Sequence, residues 1–276
     1  MKNTFVFQLL IFFLLLTVPV FTVSAQGISK DELIIYYSFN ADTLVEGDIM
    51  DESGNENHGL LKGANLKIVE DGKADECMEF PGVNSDYISV RNHHYANLFP
   101  ELSLAVWVKT PQRGMIASWD RSEFFRFAVG DDIGGNASTT FVGFDVCCPI
   151  KDWWGKIDVA DDNWHHLAAT FDAEMKRIYV DGVLDVEVPT DTNTKEIGKA
   201  VTRYGFIGVG SEATAFDANT GPAGWPFKGL MDEFLMFHRS LSADEVSRLA
   251  NAPSEPFAVD PANKLSTTWA QIKNQK

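Results

Sequence analysis

Cysteine is scarce in this chain of 276 residues, which contains three: Cys77, Cys147 and Cys148. That number is too small for a disulfide framework, and because it is odd, at least one thiol is unpaired or joined to another chain. The adjacent Cys147 and Cys148 could form a vicinal disulfide, one of them could pair with Cys77, or all three could be small buried hydrophobic residues. Zinc binding by thiolates is not expected, because no second Cys/His pair stands at ligand spacing.

Basic residues are also few, with 23 Lys and Arg against 39 Asp and Glu, for a net charge of −16. Loss of residues 1–25 would remove Lys2 and leave 22 minus 39, or −17. Such a field repels phosphate backbones and anionic lipids, so neither nucleic acid nor a membrane surface is an expected partner. The many carboxylates can bind divalent cations, although solubility outside the cell is the first explanation for them.

Long apolar runs are absent after residue 23. The one run, over residues 5–23, follows Lys2 and ends at the small residues Val23-Ser24-Ala25, which predicts a secretory signal peptide cleaved after Ala25. A retained membrane anchor is the alternative, because the run is long enough to span a bilayer. We therefore expect the mature chain to be secreted, or to lie at the cell surface or in the periplasm.

What the chain does contain is alternation of apolar and polar residues. Residues 164–188 predict three antiparallel strands, with Leu167 and Phe171 on a buried face and Asp181-Gly182 in a tight hairpin turn. About a dozen short strands at similar spacing predict an all-β, two-sheet sandwich. One short C-terminal helix is predicted to begin at a capping box of Ser242 and Glu245. Without a linker or internal repeat, we expect one domain over residues 26–250 and a tail over 251–276.

Several segments resemble a known family when taken in order. They are residues 37–40 (YSFN) with 51–59 (DESGNENHG), 80–82 (FPG) before 87–90 (YISV), 102–109, 164–172 with 178–182, and 230–245. Together they resemble the laminin G-like family of concanavalin A-like jelly rolls in its bacterial secreted form. The resemblance implies an antiparallel jelly-roll sandwich. It implies function less specifically, because this fold hosts lectins, adhesion modules and glycan-processing enzymes.

Asp232 is the most informative single acid. Strand alternation predicts that it shares an apolar row with Leu230, Phe234 and Met236, where an unpaired carboxylate is costly to bury. It therefore needs a partner.

The resemblance supplies one, because members of the family often bind a structural calcium ion between the loop after the first strand and the last strand. It implies a calcium site made of Asp232, Asn40, Asp51 and Asn57, which offer the hard oxygen ligands that calcium takes. The family frequently has Asp where this chain has Asn40, which would weaken the site. The alternative is that Asp232 accepts backbone amides while the loop residues shape turns.

Sugar binding requires flat aromatic faces and polar groups for hydroxyls. Such residues occur in three predicted loops, one with Asp120, Glu123 and Arg126 near Trp119. The predicted ligand-binding residues are Trp119, Arg121, Trp153, Trp154 and Trp225. Docking of the adjacent Trp153 and Trp154 on the sandwich is the alternative, and the commoner outcome for large aromatic residues.

Catalytic motifs are missing. The sequence has no nucleophile elbow, HExxH or phosphate loop, and no alternating cluster of carboxylates of the kind that glycosidases on related jelly rolls use. His165 and His166 alternate along a strand and cannot chelate as a pair. We predict a non-catalytic recognition module whose partner is a glycan or an extracellular protein. A glycan-processing enzyme with an unrecognised site and a structural adhesion component are the alternatives.

Overall fold

The computed structural model describes residues 27–120, 122–130, 138–147, 152–190, 195–216 and 223–257. The predicted signal peptide and most of the predicted tail lie outside these residues, so cleavage and the domain boundaries stay predictions. Among the described residues, no helix is long and apolar enough to cross a bilayer.

The strands form in the segments where apolar and polar residues alternate. In chain order they are β1 (Leu33–Tyr37), β2 (Leu44–Val45), β3 (Asp48–Ile49), β4 (Gly59–Lys62), β5 (Lys67–Val69), β6 (Cys77–Pro81), β7 (Tyr87–Tyr95), β8 (Leu102–Lys109), β9 (Gly114–Ser118), β10 (Phe125–Val129), β11 (Phe141–Val146), β12 (Trp153–Asp158), β13 (Trp164–Phe171), β14 (Met175–Val180), β15 (Val183–Pro189), β16 (Arg203–Ile207) and β17 (Lys228–Phe237). A 3-10 turn at Ala41–Thr43 and the helix α1 (Ala243–Asn251) complete the elements.

These strands build two antiparallel sheets. The first sheet has the order β15-β14-β13-β8-β17-β6-β5, with β1 paired to β17. The second has the order β12-β11-β10-β9-β16-β7-β4-β3-β2. The predicted all-β sandwich with one short helix is confirmed.

The core fills the space between the sheets. Leu167 pairs with Val180 and Ala169 pairs with Ile178 across β13 and β14, and all four side chains belong to the main buried cluster. Phenylalanines of the second sheet, including Phe127 of β10, belong to the same cluster. Full burial of each large apolar side chain stabilises the fold by roughly 1.5–3 kcal/mol. The expectation that a second sheet covers the 164–188 strands is therefore confirmed.

Helix α1 closes the outer face of the first sheet. Its Val246 and Leu249 share a second buried cluster with Leu235 and Phe237 of β17. The capping box forms as predicted, since Ser242 Oγ accepts a hydrogen bond from the Glu245 amide and Glu245 accepts one from the Ser242 amide. Both faces of the middle of the first sheet are thereby buried.

A bulge in β17 changes which residues of the strand share a face with Asp232. Asp232 pairs with Trp107 of β8, but the register then shifts at Glu233, whose φ is 53°. One extra residue reverses the alternation of a strand. The β17 residues in the main core are Met231, Phe234 and Met236. The predicted row that joined Asp232 to Phe234 and Met236 is therefore wrong, because the bulge separates them.

The structure excludes two of the alternatives left open for the cysteines. Cys77 is a buried free thiol, while Cys147 is disulfide-bonded. A pairing through Cys77 is thus excluded, as is the reading in which all three are unpaired. Burial, with a smaller contribution from the nearby Asp232, raises the pKa of Cys77 to about 12. The thiol therefore stays protonated and unreactive near neutral pH.

Two histidines lie in an aromatic cluster at one end of the sandwich. The rings of His93 and His238 are 5.5 Å apart, and His238 Nε2 lies 2.8 Å from the Tyr95 hydroxyl. Burial lowers the pKa of His93 to about 3, helped by the neighbouring His238, and burial lowers the pKa of His238 to about 4. Both rings are therefore neutral in the folded protein at neutral pH.

We expect His93 to weaken the fold as the pH falls. The unfolded chain takes up a proton near pH 6.5, whereas folded His93 does not until about pH 3, so stability present above pH 6.5 is lost between these values. His93→Phe keeps an apolar ring and removes this proton uptake. Between pH 7 and 5 the wild-type protein should lose about 2 kcal/mol more free energy of unfolding than the variant, measured by urea denaturation.

The difference between the two proteins is measured because other groups also change the stability with pH. Burial raises the pKa of Asp232 to about 7 and that of Glu233 to about 8. In both proteins these two carboxyls therefore stabilise the fold as the pH falls, which is opposite to the effect of His93. Equal pH dependence in the wild type and His93→Phe would contradict the assignment.

Candidate functional site

A cavity of about 400 Å³ opens on the outer face of the second sheet. The residues around it come from β9, β10, the β9–β10 loop and two segments of the β16–β17 connection. They are Met115, Ser118, Asp120, Ser122, Arg126, Gly210, Ser211, Glu212, Ala223, Gly224 and Trp225. Its size lies within the range of small-molecule sites, and it combines one large aromatic ring with hydroxyls and carboxylates. A concave, mixed surface of this kind suits a polar ligand with an apolar face.

Backbone hydrogen bonds fix the loop that carries Trp225. The carbonyl of Trp225 accepts a hydrogen bond of 2.9 Å from the amide of Met115, at the start of β9. The carbonyl of Gly224 accepts one of 3.0 Å from the Gly210 amide, and the Phe227 amide donates one of 2.9 Å to Gly208. The loop is therefore attached at both ends to the turn that follows β16.

Trp225 itself has a strained backbone, with a φ of 62°. The left-handed region costs a non-glycine residue roughly 1–2 kcal/mol, and strain of this kind is often found at functional sites. Strand β9 lies close to this loop, since a Cβ at Gly114 would be 2.6 Å from the Phe227 Cα. The ring of Trp225 remains half-buried and lines the cavity.

Arg126 supports this ring from β10. Its guanidinium carbon lies 5.3 Å from the centroid of the Trp225 ring, within the range of a cation–π contact. Its Nε donates a 2.6 Å hydrogen bond to Asp145 Oδ2, the residue opposite it on β11. Both side chains of this ion pair are almost fully buried. The pair therefore fixes the guanidinium against the indole.

Asp120 forms another part of the cavity wall. It has a φ of 61°, and its Oδ1 accepts a 3.0 Å hydrogen bond from the Ser122 amide. Its Oδ2 accepts a 2.5 Å hydrogen bond from Arg203 Nε. Burial raises the pKa of the neighbouring Glu123, and the hydrogen bond between Glu123 and Asp120 adds to that shift. Arg203 therefore holds two carboxylates at this wall, because it also approaches Glu123.

Of the predicted ligand-binding residues, Trp225 lies at the cavity and Trp119 does not. Trp119 is fully buried in the main core, with its ring 5.3 Å from Phe125 and directly over Gly205. It cannot present a face to a ligand, so its assignment as a ligand contact is wrong. Its neighbour Asp120 and Arg126 do line the cavity. Arg121 lies outside the described residues.

Trp153 and Trp154 are in a strand rather than in the predicted loop. They pair with Phe144 and Gly143 as part of β12, the edge strand of the second sheet. Their rings stack at 5.8 Å, and Trp153 is 36% exposed. A ligand contact at this edge stays a prediction, and these residues do not line the cavity at Trp225.

Ser118, Ser211 and Glu212 also line the cavity and were not predicted from the sequence. Two nearby glycines, Gly208 and Gly210, favour a turn there, but nothing local indicates that this turn meets the loop of Trp225. That meeting follows from the pairing of β16 with β9, in which Phe206 lies opposite Ser118.

The structure divides the predicted metal ligands into two pairs. The carboxylate of Asp51 accepts hydrogen bonds from the amides of Tyr36, Ser53 and Asn57 and from the Ser53 hydroxyl. The Asn57 side chain in turn donates a 2.8 Å hydrogen bond to the Ile34 carbonyl. These two residues shape their loop and join it to β1.

Asp232 and Asn40 both contact residues 73–76. Asp232 Oδ2 accepts hydrogen bonds of 2.8 Å from the amides of Lys73 and Ala74, and Asn40 Oδ1 accepts one of 3.3 Å from the Glu76 amide. The other carboxylate oxygen of Asp232 is buried and has no hydrogen-bond partner. Desolvation raises the pKa of Asp232 to about 7, against the effect of these amides.

This orphaned oxygen fits a cation ligand, because burial of an uncompensated carboxylate is costly. Within the described ranges, however, no three His, Cys, Asp or Glu side chains form a group that could hold a metal ion. Amide and backbone oxygens would have to complete such a site, as they can for calcium.

Comparison with known proteins gives the family. Residues 82–247 match the Laminin_G_3 family model, described as Concanavalin A-like lectin/glucanases superfamily. The resemblance predicted from the sequence is confirmed. No curated protein is similar enough in sequence to count as a match.

Several solved structures share the fold. Domain 4 of AbnA, a GH43 extracellular arabinanase from Geobacillus stearothermophilus in complex with arabinotriose, has a TM-score of 0.57 at 20% identity over 79% of this chain and 98% of that chain. The binding domain of Paraclostridial Mosquitocidal Protein 1 has a TM-score of 0.58 at 14% identity over 81% of this chain and 53% of that one.

The botulinum neurotoxin serotype D ligand-binding domain in complex with N-acetylneuraminic acid has a TM-score of 0.54 at 11% identity over 81% and 51% of the two chains. This chain therefore spans about half the length of the two toxin chains. At these identities the likeness establishes the fold alone.

We predict that glycine stabilises position 225 relative to alanine. Because the φ of Trp225 is positive, Trp225→Gly should have a free energy of unfolding about 1 kcal/mol higher than Trp225→Ala. Urea denaturation of the two variants measures the difference.

The matched control is the same pair of substitutions at Trp153, which lies in a strand. There, alanine should be more stable than glycine, because glycine loses more backbone freedom in an extended strand. The same order of stability at both positions would contradict the strain assigned to Trp225.

Proposed function

Because the chain belongs to the Laminin_G_3 family of the concanavalin A-like lectin/glucanases superfamily, we propose that it is a secreted, non-catalytic module that recognises carbohydrate. The cavity at Trp225 is the proposed binding site. One observation carries the proposal: a half-buried indole, fixed by strained backbone and a buried ion pair, stands in a cavity lined by carboxylates and hydroxyls.

The chemistry of a sugar matches this lining. One face of a sugar ring presents C–H groups, which pack against an indole, while its hydroxyls need hydrogen-bond partners. The carboxylates of Asp120 and Glu212 accept hydrogen bonds, and the hydroxyl of Ser118, which accepts one from the Ser211 amide, can donate one. Since these groups are placed by backbone that is already hydrogen-bonded, little conformational entropy is lost on binding.

The structural relatives support a carbohydrate ligand. One relative carries arabinotriose and another carries N-acetylneuraminic acid, and others are binding domains of toxins. Because the identities are low, these ligands indicate a class of compound for this chain and not a specific sugar.

The carboxylates at the cavity also support a role without catalysis. Glycoside hydrolysis uses two carboxyl groups, one protonated and one ionised, on opposite sides of the scissile bond. Here Asp120 binds Arg203 at 2.5 Å and shares a hydrogen bond with Glu123. Its carboxylate is therefore committed to neighbouring side chains and not poised to act on a ligand. Turnover of a polysaccharide by the purified protein would favour the enzymatic alternative instead.

We further propose that a calcium ion stabilises the fold at Asp232. The free oxygen of Asp232 and the amide oxygen of Asn40 would hold it, together with backbone carbonyls. Bound there, calcium would supply charge compensation for the buried carboxylate. Asp51 and Asn57 belong to the neighbouring loop network and are not needed for this set.

We expect glycan binding to depend on Trp225. Loss of a buried aromatic anchor typically costs 2 kcal/mol or more, so Trp225→Ala should weaken the best ligand of a glycan array by about thirtyfold or more. Isothermal titration with that ligand measures the change.

Trp153→Ala serves as the matched control, because it removes an exposed indole from the same sheet without touching the cavity. Its affinity should remain that of the wild type. If Trp153→Ala or Trp154→Ala abolishes binding while Trp225→Ala retains it, the ligand surface lies at the edge strand and the proposed site is wrong.

Calcium should raise the melting temperature of the metal-free wild-type protein, and chelator should reverse the rise, because an ion that binds only the folded state stabilises it. Asp232→Asn should lose this response. Asp51→Asn should lower the melting temperature by disturbing the loop but keep the response to calcium. A wild-type protein indifferent to calcium and chelator would contradict the proposal, and loss of the response in Asp51→Asn would return Asp51 to the ligand set.

A further inference from the structure

The charges at the cavity bear on which class of glycan could bind there, and an inference from them rests on the binding site proposed above. Its lining includes two carboxylates, Asp120 and Glu212, and one cation among the described residues, Arg126. An acidic sugar would need a cation with an open hydrogen-bonding edge, because carboxylates are recognised by planar, bidentate contacts with arginine.

Arg126 is engaged in another interaction. Its Nε binds Asp145 Oδ2 at 2.6 Å, and the side chains of the two residues are 9% and 1% exposed. One face of the guanidinium is directed to the Trp225 ring. The Asp145 carboxylate, which is itself buried, thus neutralises the positive charge of Arg126 at the cavity.

The cations near Asp120 are also bound in ion pairs. Arg203 binds Asp120 at 2.5 Å and approaches Glu123 at 3.5 Å, and Lys199 approaches Glu123 at 3.4 Å. The charged lining residues and the ion-pair network attached to them have a net charge of 3 − 4 = −1 within the described chain. The cations are Arg126, Arg203 and Lys199, and the carboxylates are Asp120, Glu123, Asp145 and Glu212. The exposed Glu212 accounts for the excess.

We infer that the cavity at Trp225 selects neutral glycans and rejects those that carry a carboxylate, such as uronic or sialic acids. Neutral hydroxyls donate hydrogen bonds to Asp120 and Glu212, whereas a ligand carboxylate can only accept and is repelled by both. The net charge of −16 on the whole chain adds a repulsive field of the same sign.

The test uses one oligosaccharide in two forms. Galacturonate oligosaccharides and the galactose oligosaccharides obtained by reducing their carboxyl groups differ only in the charged group, and a sialylated oligosaccharide with its desialylated form gives a second pair. Isothermal titration at low salt should show at least tenfold tighter binding of the neutral form. Half-molar salt should narrow the gap, because it screens the repulsion.

Glu212→Gln should raise the affinity for the acidic form about fivefold relative to the affinity for the neutral form, because it removes a negative charge that repels the ligand carboxylate. Glu46→Gln is the charge-matched control. It removes one negative charge between β2 and β3, at the far edge of the same sheet, and should change neither affinity.

The outcomes separate the two proposals. If the acidic form binds as tightly as the neutral form or more tightly, and Trp225→Ala abolishes that binding, the site stands and the selectivity is wrong. If neither form of any pair binds, the proposed carbohydrate site fails, and the selectivity fails with it.

Discussion

The candidate site depends on the attachment of one short loop, residues 223–227, to the turn after β16 and to the start of β9. Four backbone hydrogen bonds make this attachment, and they hold Trp225 in a conformation that tryptophan does not favour by itself. The stability of the two-sheet core provides the free energy that maintains this strain. Without the attachment, the indole would have no fixed relation to Arg126 or Asp120.

The ion pairs around the cavity also fix the positions of its side chains. Buried pairs such as Arg126 with Asp145 contribute little net stability, because the desolvation of both charges offsets their attraction. Their geometry is nevertheless well defined, and here it positions a guanidinium against an aromatic ring. The closure of the other sheet by α1 explains why this chemistry lies on the second sheet, since the middle of the first sheet is buried on both faces.

Much of the fold could be predicted from the sequence, because alternation in β8 and β13 and the Ser242 capping box are local patterns that the structure retains. The site could be predicted only in part. Trp119 and Trp225 are equally aromatic in the sequence, yet one is buried over Gly205 and the other lines the cavity, and that difference arises from the packing of distant strands. The bulge at Glu233 was equally hidden, because no glycine or proline marks it.

The most direct test of a glycan site at Trp225 is a fluorine NMR titration of protein that carries fluorotryptophan at its seven tryptophans. Each resonance is assigned by replacing one tryptophan with phenylalanine. With a neutral oligosaccharide that binds, the Trp225 resonance should shift with saturation while those of Trp119, Trp153 and Trp154 stay in place. A saturable shift at Trp153 or Trp154 with an unmoved Trp225 would contradict a glycan site at Trp225.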